Sequence, residues 1–171
     1  ETLEKASKIL GKLTGREGYK IQEDRRNRTR YIVLYEPKII EFINSITGIQ
    51  GEKGNICVPS VIYKSPLPVI NAFLAGLIDS DGYVSKNKIR FTYGTASKRL
   101  IGDLSSLLSL FGFRTAVRER KPRKKNWSVM YELNLDTKEQ LSRLWNMAGN
   151  YLVNNLRRER LRGFAGESSR Y

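Results

Sequence analysis

The chain has 171 residues, 40% of them hydrophobic, and 31 Lys+Arg against 17 Asp+Glu give it a formal net charge of +14. That length allows one domain or two small repeats sharing a core, and the charge calls for a polyanionic partner, most simply nucleic acid; no long apolar run favours a membrane instead. With no histidine and only Cys57, a Ser-His-Asp triad, an imidazole base, an intrachain disulfide and a cysteine zinc site are excluded, so any hydrolysis must run on carboxylates, a metal and water.

The lone cysteine and the lack of a visible signal peptide fit a reducing, intracellular setting, cytoplasm or organelle matrix. A chain that starts at Glu1 without Met is expected to be a fragment or a processed product.

From the start, Leu3, Ala6, Leu10 and Leu13 recur with a helical period, and Gly15 closes the helix. Two alternating segments follow. Tyr19 and Ile21 alternate with Lys20 and Gln22, and Tyr31, Val33 and Tyr35 with Arg30, Ile32 and Leu34, across the turn Arg25 to Arg28. Pro37 then opens a helix carrying Ile39, Ile40, Phe42, Ile43 and Ile46. The same order returns over residues 98–149. A helix from Leu100 to Phe111 is closed by Gly112. Strands follow, with Phe113, Thr115 and Val117 alternating with Arg114, Ala116 and Arg118, and with Trp127 to Leu135 after a turn at Lys121 to Asn126. Asp136 or Thr137 then caps a helix carrying Leu141, Leu144, Trp145 and Met147.

Ahead of this second copy, Pro66 and Pro68 lead into a helix running to Asp79, and Asp79-Ser80-Asp81-Gly82 ends it. Ala72 and Gly76 lie four apart on one face with Ala75 beside them, a pattern that lets two helices approach closely. Gly inside a helix costs about 1 kcal/mol relative to Ala, and close packing offsets it. Acidic residues at a helix C-terminus are disfavoured by its dipole. A divalent cation with hard oxygen ligands accounts for them. Gly82 then permits a sharp turn into a hairpin, Tyr83 to Val84 and Lys88 to Tyr93. Residues 150–164 read as a last amphipathic helix.

The stretch Leu74-Ala75-Gly76-Leu77-Ile78-Asp79-Ser80-Asp81-Gly82 resembles the signature of the LAGLIDADG homing endonucleases, departing from it at Ser80. The resemblance implies an α+β fold of αββαββα repeats, with antiparallel sheets forming a DNA-binding saddle. Residues 1–66 then form a partial first repeat, 67–149 a complete second repeat, and 150–171 a terminal helix and tail. It further implies a site-specific endonuclease that hydrolyses phosphodiester bonds of duplex DNA with Mg²⁺ or Mn²⁺. Asp81 is the implied catalytic metal ligand, the Ser80 carbonyl a further one, and Asp79 a residue holding the helix end or its neighbour. Ala72, Ala75, Gly76 and Asp79 form the implied helix interface. Since the resemblance implies that each of two such helices gives one Asp to a site of two or three metal ions, this chain holds half a site. It needs a homodimer or a missing upstream repeat to complete it. Family members also place a basic residue before a proline, where this chain has Ile56; Lys53 and Lys64 are the substitutes. The passage Ser60 to Pro66 resembles intein-borne members. RNA maturases and transcription regulators also share the fold, so a non-cleaving nucleic-acid-binding protein is the alternative.

A twisted β-ribbon reads the major groove through its outward side chains. The outward set expected here is Lys20, Gln22 and Arg30 in the first copy, then Lys88, Arg90, Thr92, Arg114, Arg118 and Arg120, with Ile89, Phe91 and Tyr93 packed beneath. Loop residues Arg25, Arg26, Arg28, Lys86, Arg123, Lys124 and Lys125 suit phosphates. The run Arg157 to Arg162 reads as a solvated helix face.

Overall fold

A computed structural model of the protein describes residues 2–24, 26, 29–47, 56–122 and 128–165. The chain divides into two compact units, Glu1–Gly48 and Ile49–Tyr171.

In the first unit the order is α1 (Thr2–Thr14), β1 (Ile21–Asp24), β2 (Thr29–Ile32) and α2 (Pro37–Thr47), the expected helix–strand–strand–helix. Gly15 closes α1 at φ 72°, a left-handed backbone that glycine adopts without a Cβ penalty. The chain then folds back on the helix. Ser7 Oγ accepts from the Tyr19 N–H at 2.7 Å and donates to the Tyr19 carbonyl at 2.6 Å. Gly11 must be glycine for this return, because a Cβ there would sit 2.8 Å from the Arg16 carbonyl oxygen and the Gly18 Cα. In the hairpin Ile21 pairs with Ile32, Gln22 with Tyr31 and Glu23 with Arg30. Directly paired residues share a face, so Arg30 lies with Ile21 and Ile32, opposite the Gln22 face expected for it. Ile9, Leu13, Tyr35 and Phe42 are each half exposed or more. Among the described residues, every fully buried apolar side chain belongs to the second unit.

The second unit runs α3 (Ser60–Tyr63), α4 (Leu67–Asp81), β3 (Gly82–Val84), β4 (Phe91–Thr95), α5 (Lys98–Leu110), β5 (Ala116–Arg120), β6 (Met130–Leu135), α6 (Lys138–Ala148), a 3-10 turn Gly149–Tyr151, and α7 (Asn155–Ala165). From α4 to α6 this is the αββαββα order. The four strands form one antiparallel sheet in the order β3-β4-β6-β5. Alternate side chains Val84, Phe91, Tyr93, Leu133 and Leu135 are buried in a core with Ile70, Leu74, Ile78, Leu104, Leu108, Leu141 and Leu144 from the helices. Each such side chain contributes about 1.5–3 kcal/mol on burial. Among the described residues no helix is long and apolar enough to cross a membrane.

Several boundaries depart from the expected ones, each for a local reason. Strand β4 begins only at Phe91, because the Ser85 N–H donates to the Arg90 carbonyl at 3.0 Å and Ser85 Oγ accepts from the Lys88 N–H at 3.2 Å, making 85–90 a turn. Lys88 and Ile89 therefore stand in that turn, and Ile89 is 45% exposed instead of packed under helices. Strand β5 is one edge of the sheet and all five of its residues are exposed, Val117 among them. Helix α4 continues through Asp79 to Asp81 instead of stopping at the first carboxylate. Gly82 has an ordinary φ of −72°. Its need for glycine is close approach: a Cβ would lie 2.7 Å from the Ile78 carbonyl oxygen and 3.0 Å from the Phe91 ring. Of the two cap candidates for α6, Thr137 is the cap and accepts from the Gln140 N–H at 3.3 Å.

The cap of α5 ties in the chain before α3. Ser97 Oγ accepts from the Leu100 N–H at 3.1 Å and donates to the Ile56 carbonyl at 2.5 Å, in full burial. Ser97→Ala removes a cap worth about 1 kcal/mol and leaves a carbonyl unpaired, at a further cost of about 1–3 kcal/mol. Urea unfolding is expected to show a lower midpoint with unchanged slope.

Candidate functional site

Helix α4 has two unlike faces. Ile70, Leu74, Ala75, Ile78 and Asp79 are buried against the rest of their own unit. Ala72, Gly76 and Ser80, four apart in sequence, form an exposed stripe. A Cβ on Gly76 would meet nothing within 4 Å. The small-residue stripe is thus Ala72 and Gly76. Ala75, expected on it, is 1% exposed in the core, one helical step of about 100° away.

Asp79 is also absent from that stripe. Its carboxylate accepts from the Val153 N–H at 2.7 Å and the Asn154 N–H at 3.1 Å. It is 7% exposed and holds the segment between the 3-10 turn and α7. The helix-end carbonyls are claimed by Arg157, whose Nη1 donates to the Asp79 carbonyl and Nη2 to the Ser80 carbonyl at 3.2 Å. The Ser80 carbonyl expected on a metal thus accepts a hydrogen bond from a guanidinium. The Ser80 hydroxyl donates back to the Leu77 carbonyl at 3.0 Å. Arg157 and Arg160, which donates to the Val84 carbonyl at 3.2 Å, are engaged with protein backbone and are not part of a freely solvated face.

Asp81 is exposed at the last position of α4 and has no hydrogen-bond or ion-pair partner among the described residues. Among those residues no three His, Cys, Asp or Glu side chains cluster as a metal site. The donor set of this tip is one free carboxylate, which fits a hard cation shared with ligands from elsewhere. Its charge reaches Tyr93 in the core beneath. Burial first, and the Asp81 carboxylate second, push the Tyr93 hydroxyl up to about 12.

Directly after Asp81 comes the sheet, whose outward face is polar. Tyr83, Arg90, Thr92, Arg118, Arg120, Glu132 and Asn134 line one concavity on it. The register explains the grouping: Tyr83 pairs with Thr92, Thr92 with Asn134 and Arg118 with Glu132. The Thr92 hydroxyl donates to Asn134 Oδ1 at 2.7 Å. Arg90 pairs with Asp136 at 2.8 Å and Arg120 with Glu132 at 2.9 Å, while Arg118 has no ion pair among the described residues. Four residues expected on this face, Arg90, Thr92, Arg118 and Arg120, thus come together.

Other expected positions scatter. Arg114 is exposed ahead of β5, and its N–H donates to Gln140 Oε1 at 3.2 Å. Lys86 and Lys88 are exposed in the β3–β4 turn. In the first unit Lys20 is exposed, Gln22 half-buried, and the Arg26 N–H donates to Asp24 Oδ1 at 2.9 Å. Arg25, Arg28, Lys53, Arg123, Lys124 and Lys125 lie outside the described residues. Of the substitutes for the basic residue, Lys64 is exposed at the end of α3, and Ile56 is partly buried against the core. Asn134, Tyr83 and Glu132 are not singled out by the sequence, although Asn134 and Glu132 share the strand parity that marks the outward face.

Residues 68–149 match the LAGLIDADG-like domain family. The chain is similar to a probable translation initiation factor IF-2 of Methanocaldococcus jannaschii, 28% identical over 135 residues, 76% of this chain and 12% of that protein. It is 27% identical over 88 residues to an ATP-dependent DNA helicase Hel308 of the same organism, 52% of this chain and 7% of the helicase. A glutamine–fructose-6-phosphate aminotransferase, again of that organism, is 24% identical over 98 residues, 57% of this chain and 9% of the aminotransferase. The chain therefore spans about an eighth or less of these relatives' length.

The raised Tyr93 hydroxyl gives a pH dependence with a definite sign. The folded value of about 12 stands above the ordinary 10.0, so the unfolded state loses this proton first as pH rises. Stability is unaffected by this group below about pH 10 and falls between about 10 and 12. Urea unfolding across that range checks it, with Tyr93→Phe flattening the decline. Asp81→Asn is expected to lower the Tyr93 titration midpoint, read by tyrosinate absorbance, without returning it to the ordinary value, because burial is the larger cause.

Proposed function

We propose that this chain, whose residues 68–149 match the LAGLIDADG-like domain family, is the DNA-recognising and metal-bearing part of a site-specific endonuclease. The observation that carries the reading is the placement of Asp81. It is a free, exposed carboxylate at the tip of the signature helix, one residue before the sheet whose outer face presents Arg90, Arg118 and Arg120.

Phosphate and base edges are taken by that face. Arg118 is available for guanine or phosphate, while Asn134, 6% exposed with its Oδ1 taken by the Thr92 hydroxyl, holds Thr92 in place on that face. Ion pairs with Asp136 and Glu132 anchor Arg90 and Arg120, two of the residues lining the concavity. The exposed Ala72–Gly76 stripe admits a second helix at close range, so that two acidic tips meet. That helix comes from a homodimer or an additional repeat. Asp81 would hold Mg²⁺ or Mn²⁺; a bound divalent ion lowers the pKa of its water and neutralises charge on the scissile phosphate.

The relatives support an intein-borne origin. A translation factor, a helicase and an aminotransferase share no activity, yet each resembles this chain over a small share of its length. A segment common to such proteins does not carry their activities. An endonuclease domain travelling as a passenger accounts for it. The non-cleaving alternative draws on a different observation: the Arg157 guanidinium brings positive charge onto the Ser80 carbonyl, beside the place where a cation would bind.

Duplexes enriched from a random pool by binding to the chain provide the test. Affinity is expected to fall steeply with salt, in proportion to phosphates contacted. Arg118→Ala is expected to cost about 1–3 kcal/mol of binding. A form presenting two acidic tips cuts the enriched duplex in Mg²⁺, and Asp81→Asn binds it but does not cut. Binding without cutting by every two-tip form would favour the alternative, and equal cutting by Asp81→Asn would exclude the assigned role.

A further inference from the structure

The metal-bearing tip is held from behind by a closed circuit of hydrogen bonds between segments far apart in sequence. Asp79 accepts from the Asn154 N–H at 3.1 Å. Asn154 Oδ1 accepts from the Arg157 N–H at 3.1 Å, fixing the first turn of α7. The Arg157 guanidinium then returns to the carbonyls of Asp79 and Ser80. Asp81 is the next residue along the chain. A planar fork spanning two successive carbonyls fixes the orientation of the peptide units that carry the Asp81 backbone. It also brings positive charge to a helix C-terminus, where the dipole and two carboxylates are otherwise unfavourable.

We propose that Arg157 is a positioning residue for Asp81: its guanidinium, anchored by the Asp79–Asn154 circuit, fixes the helix end and so sets the direction of the metal-bearing carboxylate. This rests on the reading of Asp81 as a metal ligand. Arg157 touches neither metal nor phosphate in this role, since both of its Nη atoms are committed to backbone. Removing groups that orient a ligand costs roughly 10–100-fold in metal affinity in characterised sites.

The test is a Mn²⁺ titration of the isotope-labelled full chain in a form presenting two acidic tips on the enriched duplex, read by paramagnetic broadening of the amides of residues 80–84. Asp81→Asn is expected to abolish the selective broadening. Arg157→Ala is expected to keep a dispersed spectrum and to raise the Mn²⁺ midpoint about tenfold. Arg157→Lys recovers part of the loss, because one ammonium does not span both carbonyls. If Arg157→Ala does not fold, the Arg157→Lys midpoint alone decides. Arg160→Ala, which removes the neighbouring contact to Val84, leaves the midpoint unchanged. A wild-type midpoint in folded Arg157→Ala or Arg157→Lys would overturn the inference and leave the metal reading standing. Absence of Asp81-dependent broadening in the wild type would overturn both.

Discussion

The structure turns on how a helix is allowed to end in two carboxylates. At the C-terminus of α4 the last carbonyls carry partial negative charge, and Asp79 and Asp81 add to it. The protein answers with donors from one later segment. Backbone N–H groups of Val153 and Asn154 hydrogen-bond the Asp79 carboxylate, and the Arg157 guanidinium covers the carbonyls. Asp79 is thereby a packing residue. Asp81 is left as the carboxylate free to act. Core packing buries Ile70, Leu74, Ala75 and Ile78 on one side of the same helix and leaves the Ala72–Gly76 stripe exposed on the other.

The sheet extends this division of labour. Its inner residues, Val84, Phe91, Tyr93, Leu133 and Leu135, fix the strands against the helices. Its outer residues are then oriented by each other. Ion pairs to Asp136 and Glu132 and the Thr92–Asn134 hydrogen bond reduce the rotamer freedom of long polar side chains before any partner arrives. The same acids temper the positive field locally, so the concavity is of mixed charge although the chain as a whole carries +14.

Much of this is legible in the residues. Periods of 3.6 and 2 give the order of elements in both units, and Gly15 and Gly112 mark two helix ends through positive φ. Strand parity groups Arg90, Thr92, Arg118 and Arg120 on one face, as the fold does. Parity fails where register is needed: Ile21 opposite Ile32 puts Arg30 on the other face from Gln22, and that pairing is set by the partner strand. It fails again at Ile89 and Val117, where a turn and a sheet edge expose residues that alternation alone would bury. The tip is legible only in half. A dipole conflict at Asp79 and Asp81 is visible, but its resolution lies in Arg157, 78 residues from Asp79, and no local pattern announces such a contact. The arginine run in α7 reads as solvated charge until the fold brings it to α4.

Anomalous diffraction from a complex of this protein, presenting two such tips, with an enriched duplex and Mn²⁺ is the most direct measurement. A metal peak about 2.1 Å from an Asp81 carboxylate oxygen is expected, beside a phosphate, with Arg157 still seated on the Ser80 carbonyl. A duplex lying across the sheet with no metal at Asp81, or a metal on the Ser80 carbonyl with Arg157 displaced, would contradict the account.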